Sequence, residues 1–178
     1  MEQAEVIARA IRLLAANQKM EAGCVLAANA PFQPVIREKR RYSKTEKLQI
    51  FKRDGFIDRY SGEKLLHPGI LRIISFYFPE IVPFHPHGKQ EECHMAHWLL
   101  MPSIDHIVLI ARGGMDKKEN WVTTSMKRNL VKNNWTLEEL EWSLYPPGDI
   151  AAWDGLSMLY LELMEKEEQL KTQTGIKE

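Results

Sequence analysis

Ile7, Ile11 and Leu14 stand at i, i+4 and i+7, with Val6, Ala10 and Leu13 on the adjoining row, so residues 4–16 predict an amphipathic helix. Two prolines and an Asn-Ala-Pro step between Ala27 and Pro34 then read as a linker. Ser43 is placed to cap a helix running through Glu46, Leu48, Ile50 and Phe51 into the Asp54-Gly55 turn. Asp54-Gly55-Phe56 and Tyr60-Ser61-Gly62-Glu63 are turn chemistry around a short hairpin. Residues 64–100 take no assignment from their pattern, because apolar Leu71 to Phe78 gives way to a stretch with three prolines and two histidines. Ile104 to Ile110, rich in Ile and Val and ending at Arg112-Gly113-Gly114, predicts a strand entering a turn. Trp121-Val122 predicts a second strand, and Thr123 or Thr124 an N-cap for a helix through Lys132. Thr136-Leu137-Glu138-Glu139 has the spacing of a capping box for another helix, which Tyr145-Pro146-Pro147-Gly148 would stop. Leu156, Leu159, Tyr160 and Leu163 make a final helix from Trp153 to Leu170. The expected fold is α+β, divided into residues 1–35, a core at 36–135 with an insert at about 64–100, and a helical extension at 136–178.

With 178 residues, 44% of them hydrophobic, one or at most two small domains are expected. Lys+Arg and Asp+Glu both number 24, so no global field draws the molecule toward polyanions. The distribution changes that picture. From Ile36 to Arg53, eight basic residues face Glu38 and Glu46, a net of +6, and Arg112 to Lys132 adds +4. From Leu137 onward ten acids outnumber three lysines, a net of −7. Cys24 and Cys93 form no CxxC pair, which fits a reducing compartment. The start is acidic, and no apolar run approaches the roughly 18 residues of a membrane span, so a cytoplasmic protein without a membrane partner is expected.

The chemistry concentrates in Ile104-Asp105-His106-Ile107-Val108, then Gly113-Gly114, Asn120, and Asn129 with Lys132. A carboxylate, an imidazole and an amide oxygen suit one hard divalent cation plus a general base. Asn129 and Lys132 are three apart and share a helix face. Asp105 and His106 alternate across an ideal strand, so the strand must twist or end there for both to reach one phosphate. Gly113-Gly114 is explained as a turn needing positive φ.

At these residues the chain resembles the HNH nucleases of the ββα-metal fold, whose pattern is Asp-His-Ile-Val-Pro, a Gly-Gly turn, Asn, and a later Asn or His on a helix. Here it reads Asp105-His106-Ile107-Val108-Leu109, Gly113-Gly114, Asn120, Asn129, with Leu109 in place of Pro. Upstream, Phe51-Lys52-Arg53-Asp54-Gly55 and Asp58-Arg59-Tyr60-Ser61-Gly62 are similar to the family's basic leading helix and Cys-x-Tyr-Cys-Gly knuckle. Asp58 and Ser61 stand at the cysteine positions, and Ser125 and Arg128 replace the second pair, so the resemblance implies a branch in which packing substitutes for structural zinc.

The resemblance further implies metal-dependent DNA endonuclease activity leaving 5′-phosphate ends. His106 would be the general base and Asn120 the brace that orients it. Asp105 and Asn129 would hold a single Mg²⁺, Mn²⁺ or similar ion. Lys132 and Arg112 are candidate phosphate contacts. So is the basic segment that precedes the core, with Arg40, Arg41, Lys44, Lys52 and Arg53. RNA is the other substrate such a site could take, and the acidic C-terminal helices leave room for a homodimer or a defence or mobile-element partner protein. Two rivals stand beside this reading. One is a non-catalytic nucleic-acid-binding module on the same scaffold. The other is zinc held by His85, His87, Cys93, His94 and His97, although His-Pro-His and Cys-His-x-x-His lack a familiar finger spacing.

Overall fold

The structure, a computed structural model, describes residues 2–32 and 42–174. It is mixed α+β: seven α-helices and one two-stranded antiparallel sheet among the described residues. The chain divides into two compact units, Met1–Arg40 and Arg41–Glu178. Among the described residues, no helix is long and apolar enough to cross a membrane.

The first unit is a helical hairpin of α1 (Gln3–Ala15) and α2 (Lys19–Asn29), joined through Asn17 at positive φ. The second helix takes in the first three residues of the expected linker, Ala27, Ala28 and Asn29. Val6, Ala10 and Ala22 are its buried side chains, whereas Ile7, Ile11 and Leu14 are exposed. The adjoining row of the predicted stripe therefore packs inward, because its small and β-branched residues let the two helices approach closely.

The second unit opens with α3 (Lys44–Arg53). Ser43 caps it as its spacing predicts: its Oγ accepts from Glu46 N–H at 3.1 Å while Glu46 Oε2 accepts from Ser43 N–H at 3.0 Å. Ile50 and Phe51 on this helix pack with Phe56, Ile104 and Trp121 to form the core cluster, flanked by Tyr42, Leu48 and Trp153. The expected hairpin is reduced to one antiparallel bridge, Ile57 with Lys64, around the Asp58–Gly62 turn.

The unassigned stretch contains α4 (Pro68–Tyr77) and α5 (Ala96–Leu99). His67 Nδ1 accepts from Gly69 N–H at 3.1 Å at the start of α4, and Pro68 supplies a preset φ at its first position. Leu66 N–H donates to Leu100 O at 3.0 Å, so the insert leaves the core and returns at one point. The core resumes with β1 (Pro102–His106), which pairs with β2 (Trp121–Ser125) in the register Ile104 to Thr123 and His106 to Trp121.

Strand β1 is shorter than Ile104–Ile110 and begins earlier; beyond His106 the chain turns through a short 3₁₀ stretch at Ile110–Arg112. Gly113 takes φ +87°, and a Cβ on Gly114 would overlap Val108 O, so both glycines are required by the loop. Helix α6 (Met126–Lys132) follows β2 directly, capped by Ser125, whose Oγ accepts from Arg128 N–H at 3.3 Å. Thr123 and Thr124, the expected caps, are buried in β2 instead.

Thr136 and Glu139 do form reciprocal capping contacts, but they close a turn and no helix follows. The chain then crosses back on the core, with Gly148 N–H donating to Asp54 O at 3.0 Å, before the last helix, α7 (Ser157–Thr174).

Candidate functional site

Strand β1 has only one strand neighbour, so its outer edge presents carbonyls with no ladder partner. Helix α6 lies along that edge and supplies donors. Asn129 Nδ2 donates to Ile104 O at 3.1 Å and to Ser103 Oγ at 2.8 Å, and Lys132 Nζ donates to His106 O at 2.8 Å. The loop side is held by Asn120. Its backbone carbonyl accepts from Ile107 N–H at 2.9 Å, its Oδ1 accepts from Val108 N–H, and its Nδ2 donates to Val108 O and Met115 O. Residues 106, 120 and 129, far apart in sequence, are thus gathered on the segment Ile104–Val108. Asn120 braces the two residues after His106 and does not touch its ring.

The side chains of Asp105 and His106 have separate partners, as alternation along a strand requires. Asp105 lies on the α6 side, where its Oδ2 accepts from Tyr60 Oη at 2.7 Å and sits 2.8 Å from Lys132 Nζ. Burial, and then the neighbouring Asp105 charge, push the Tyr60 phenol far above its ordinary range, so it remains a donor to that carboxylate. His106 lies among Tyr42, Asp116 and Trp121. Its Nε2 is 2.8 Å from Asp116 Oδ1, which also accepts from the Trp121 indole N–H at 2.7 Å and from Tyr42 Oη at 3.3 Å. Burial raises the Asp116 carboxyl, but hydrogen bonds from His106 and Trp121 outweigh it, and the group is held below its ordinary value. The strand does end at His106, yet this does not bring the two side chains to a common partner.

Asp116 escaped sequence reasoning. It is an acidic residue in a turn-rich loop, with no periodicity to mark it, and only the closing of β1 on β2 brings it against His106.

The candidate phosphate contacts divide sharply. Lys132 is fully buried, so its expected role at a phosphate is corrected: the ammonium is spent on Asp105 and His106 O. Arg53 donates to Lys118 O, to Trp121 O and to Asp54, which makes it a clamp between α3 and the β2 strand. Arg112 pairs with Glu139 at 2.8 Å. Lys44 and Lys52 are exposed, as are Lys117 and Lys118, which follow Asp116 in the chain. Arg40 and Arg41 lie outside the described residues.

The four positions where the resemblance implied lost cysteines converge. Asp58 is fully buried; its Oδ1 accepts from Tyr60 N–H and Thr124 Oγ1, and its Oδ2 accepts from Ser125 N–H at 2.8 Å and lies 3.6 Å from Arg128 Nε. Glu63 Oε2 joins Arg128 Nη2 to Ser61 Oγ, each at 3.0 Å. Hydrogen bonds and the ion pairs of Arg128 with Asp58 and Glu63 tie residues 58, 61, 125 and 128 together.

The histidines of the insert go to separate partners. His85 is 3.6 Å from Glu92, His94 Nδ1 accepts from Ala96 N–H, and His97 Nε2 meets Ser75 Oγ at 2.8 Å in the interior. Among the described residues, no group of three or more His, Cys, Asp or Glu is placed to hold a metal ion. At Asp105 a divalent ion would find the carboxylate Oδ1 and, from α6, the Asn129 amide oxygen, whose nitrogen is committed to β1. These are hard oxygens of the kind Mg²⁺ takes together with water and phosphate, so the donors fit in kind. The Asp105 charge they offer is already balanced by Lys132.

In comparison with known proteins, the chain matches no family model, no curated protein and no solved structure.

Proposed function

We propose that this protein is a metal-dependent DNA endonuclease that hydrolyses phosphodiester bonds with His106 as general base. The observation that carries the reading is the gathering of His106, Asn120 and Asn129 on one five-residue segment of a strand–loop–strand–helix unit. Each of the four residues singled out at Asp105, His106, Asn120 and Asn129 reaches that segment or belongs to it.

In this mechanism the His106 ring takes a proton from water, the water oxygen bonds to phosphorus, and the bond to the 3′ oxygen breaks with its electron pair, leaving a 5′-phosphate. Asn120 holds the backbone beyond His106 and so limits the swing of the loop. Asp105 and Asn129 would hold the ion. A bound Mg²⁺ or Mn²⁺ supplies charge to the phosphate and the departing oxygen. Exposed Lys44, Lys52, Lys117 and Lys118 are among the described cations available for sequence-independent contacts to the backbone.

The test is nicking of supercoiled plasmid with Mg²⁺, Mn²⁺ or EDTA. Wild type nicks in either metal and not in EDTA, and His106→Ala lowers the rate by about 10²- to 10⁴-fold, the range of a general base. Binding without nicking by wild type in every metal would sink the proposal. A second reading, a nucleic-acid-binding module without turnover, is favoured by one observation: Lys132 already neutralises Asp105. It predicts salt-sensitive binding that His106→Ala leaves unchanged.

A further inference from the structure

Asp116 Oδ1 collects donors from three directions. The Trp121 indole N–H can only donate, so this oxygen is an acceptor by necessity. His106 Nε2 is 2.8 Å from the same oxygen; the His106 side chain is only 4% exposed while that of Asp116 is 37% exposed, so the ring is buried and the carboxylate meets it from the solvent side. Tyr42 Oη lies 3.3 Å from Asp116 Oδ1 and 3.4 Å from His106 Nε2, touching both members of the pair. Its ring packs edge-on against Trp121 at 4.8 Å between centroids. Asp116 is therefore held from the Trp121 side whether or not it binds His106, and its hydrogen bonds keep it anionic at neutral pH.

An anionic carboxylate oxygen cannot donate, so a hydrogen bond between it and Nε2 requires the proton on Nε2. In a neutral imidazole the lone pair then resides on Nδ1. We propose that Asp116 is a positioning residue for His106, fixing the Nε2–H tautomer and the ring orientation so that Nδ1 is the nitrogen that accepts the proton. The role rests on the nuclease reading for its catalytic meaning, but the tautomer itself does not.

The test is nitrogen-resolved NMR of the full chain labelled with ¹⁵N, near neutral pH, with the His106 signals assigned by their loss in His106→Gln. Wild type shows His106 as the Nε2–H tautomer, and Asp116→Ala converts it to a mixture. Asp116→Leu, which keeps the bulk without an acceptor, serves if the alanine variant fails to fold and also mixes the tautomers, whereas Asp116→Asn, whose Oδ1 can accept from both Trp121 and Nε2–H, retains the wild-type tautomer. In plasmid nicking, Asp116→Ala lowers kcat about 10- to 100-fold at unchanged KM. An Nδ1–H tautomer in wild type, or a tautomer unmoved in both the alanine and the leucine variant, would overturn the proposal. A tautomer that shifts in a protein that never nicks would leave the positioning role in place and remove the nuclease reading. Unaltered nicking with a shifted tautomer would remove the catalytic role of Asp116 and spare that of His106.

Discussion

Lys132 carries a positive charge to a position with no solvent exposure, which is tolerable only because three interactions meet it there: Asp105, the His106 carbonyl and the face of the Tyr60 ring, whose centroid is 5.6 Å from Nζ. Removing one partner of such a pair leaves the other buried and uncompensated. Lys132→Met is therefore expected to destabilise the protein by about 3–5 kcal/mol, whereas Lys132→Met combined with Asp105→Asn costs less than the sum of the two single changes. Denaturant unfolding of the four proteins completes the cycle, and strict additivity would show that the pair is not coupled. The identity of the residue was legible in the sequence; its burial was not. Three-residue spacing put Lys132 on the face of Asn129, but whether that face meets solvent or β1 depends on how α6 docks, which no local pattern records. Arg53 and Arg112 are the same lesson, since each reads as a free cation in sequence and is bound to a distant partner in the fold.

At the scale of elements, the junction of α4 and α7 has a titratable cap. Neutral His67 accepts from Gly69 N–H through Nδ1 and stacks 4.4 Å from the Tyr160 ring, and a Cβ at Gly69 would overlap that ring. Burial lowers the His67 pKa from its ordinary 6.5; the Lys52 charge adds to this, while Asp154 opposes it. The folded value lies below the unfolded one, so as pH falls through about 6.5 the unfolded chain takes up a proton that the folded chain resists. Stability is full above that pH and is lost toward the folded value. His67→Asn, which preserves an N-cap acceptor, should reduce the fall in denaturation midpoint between about pH 7.5 and about pH 5.5. His97, lowered by burial and by Arg72 and His94, retains a slope of the same sign. An undiminished slope in the variant would remove His67 as its source. Elements with local signals, such as α3 with its Ser43 box, could be placed from sequence. Helix α4 could not, because its cap is a histidine and its apolar residues face both α7 and solvent. The Thr136 box, conversely, produced only a turn, which ends where Glu141 takes a positive φ of 55°, before the prolines are reached.

Across the whole second unit, the Asp58 turn and the β2–α6 junction are joined by hydrogen bonds and ion pairs. Residues 58 and 61 precede the insert, Ser125 ends β2 and Arg128 lies in α6, so the cluster fastens the beginning of the core to its end. Asp58 bears most of this, buried with four polar partners, while Arg128 and Glu63 extend the network to the surface. The hydrogen bond from Arg128 lowers the Glu63 pKa, as does that from Ser61, so strong acid is needed to protonate Glu63 and weaken this outer part. If the four side chains are as near to one another as these contacts require, the backbone already presents them as a tetrahedral metal would need. A variant with Asp58→Cys, Ser61→Cys, Ser125→Cys and Arg128→Cys should bind one Zn²⁺ per chain, and Co²⁺ should give the absorption of a four-thiolate site. Thermal stability should then become chelator-sensitive, which the parent protein's ion-pair cluster is not. Failure to bind Zn²⁺ by a variant whose circular dichroism matches the parent would mean that the four positions are linked through the intervening Glu63 and backbone groups without converging closely enough for one ion.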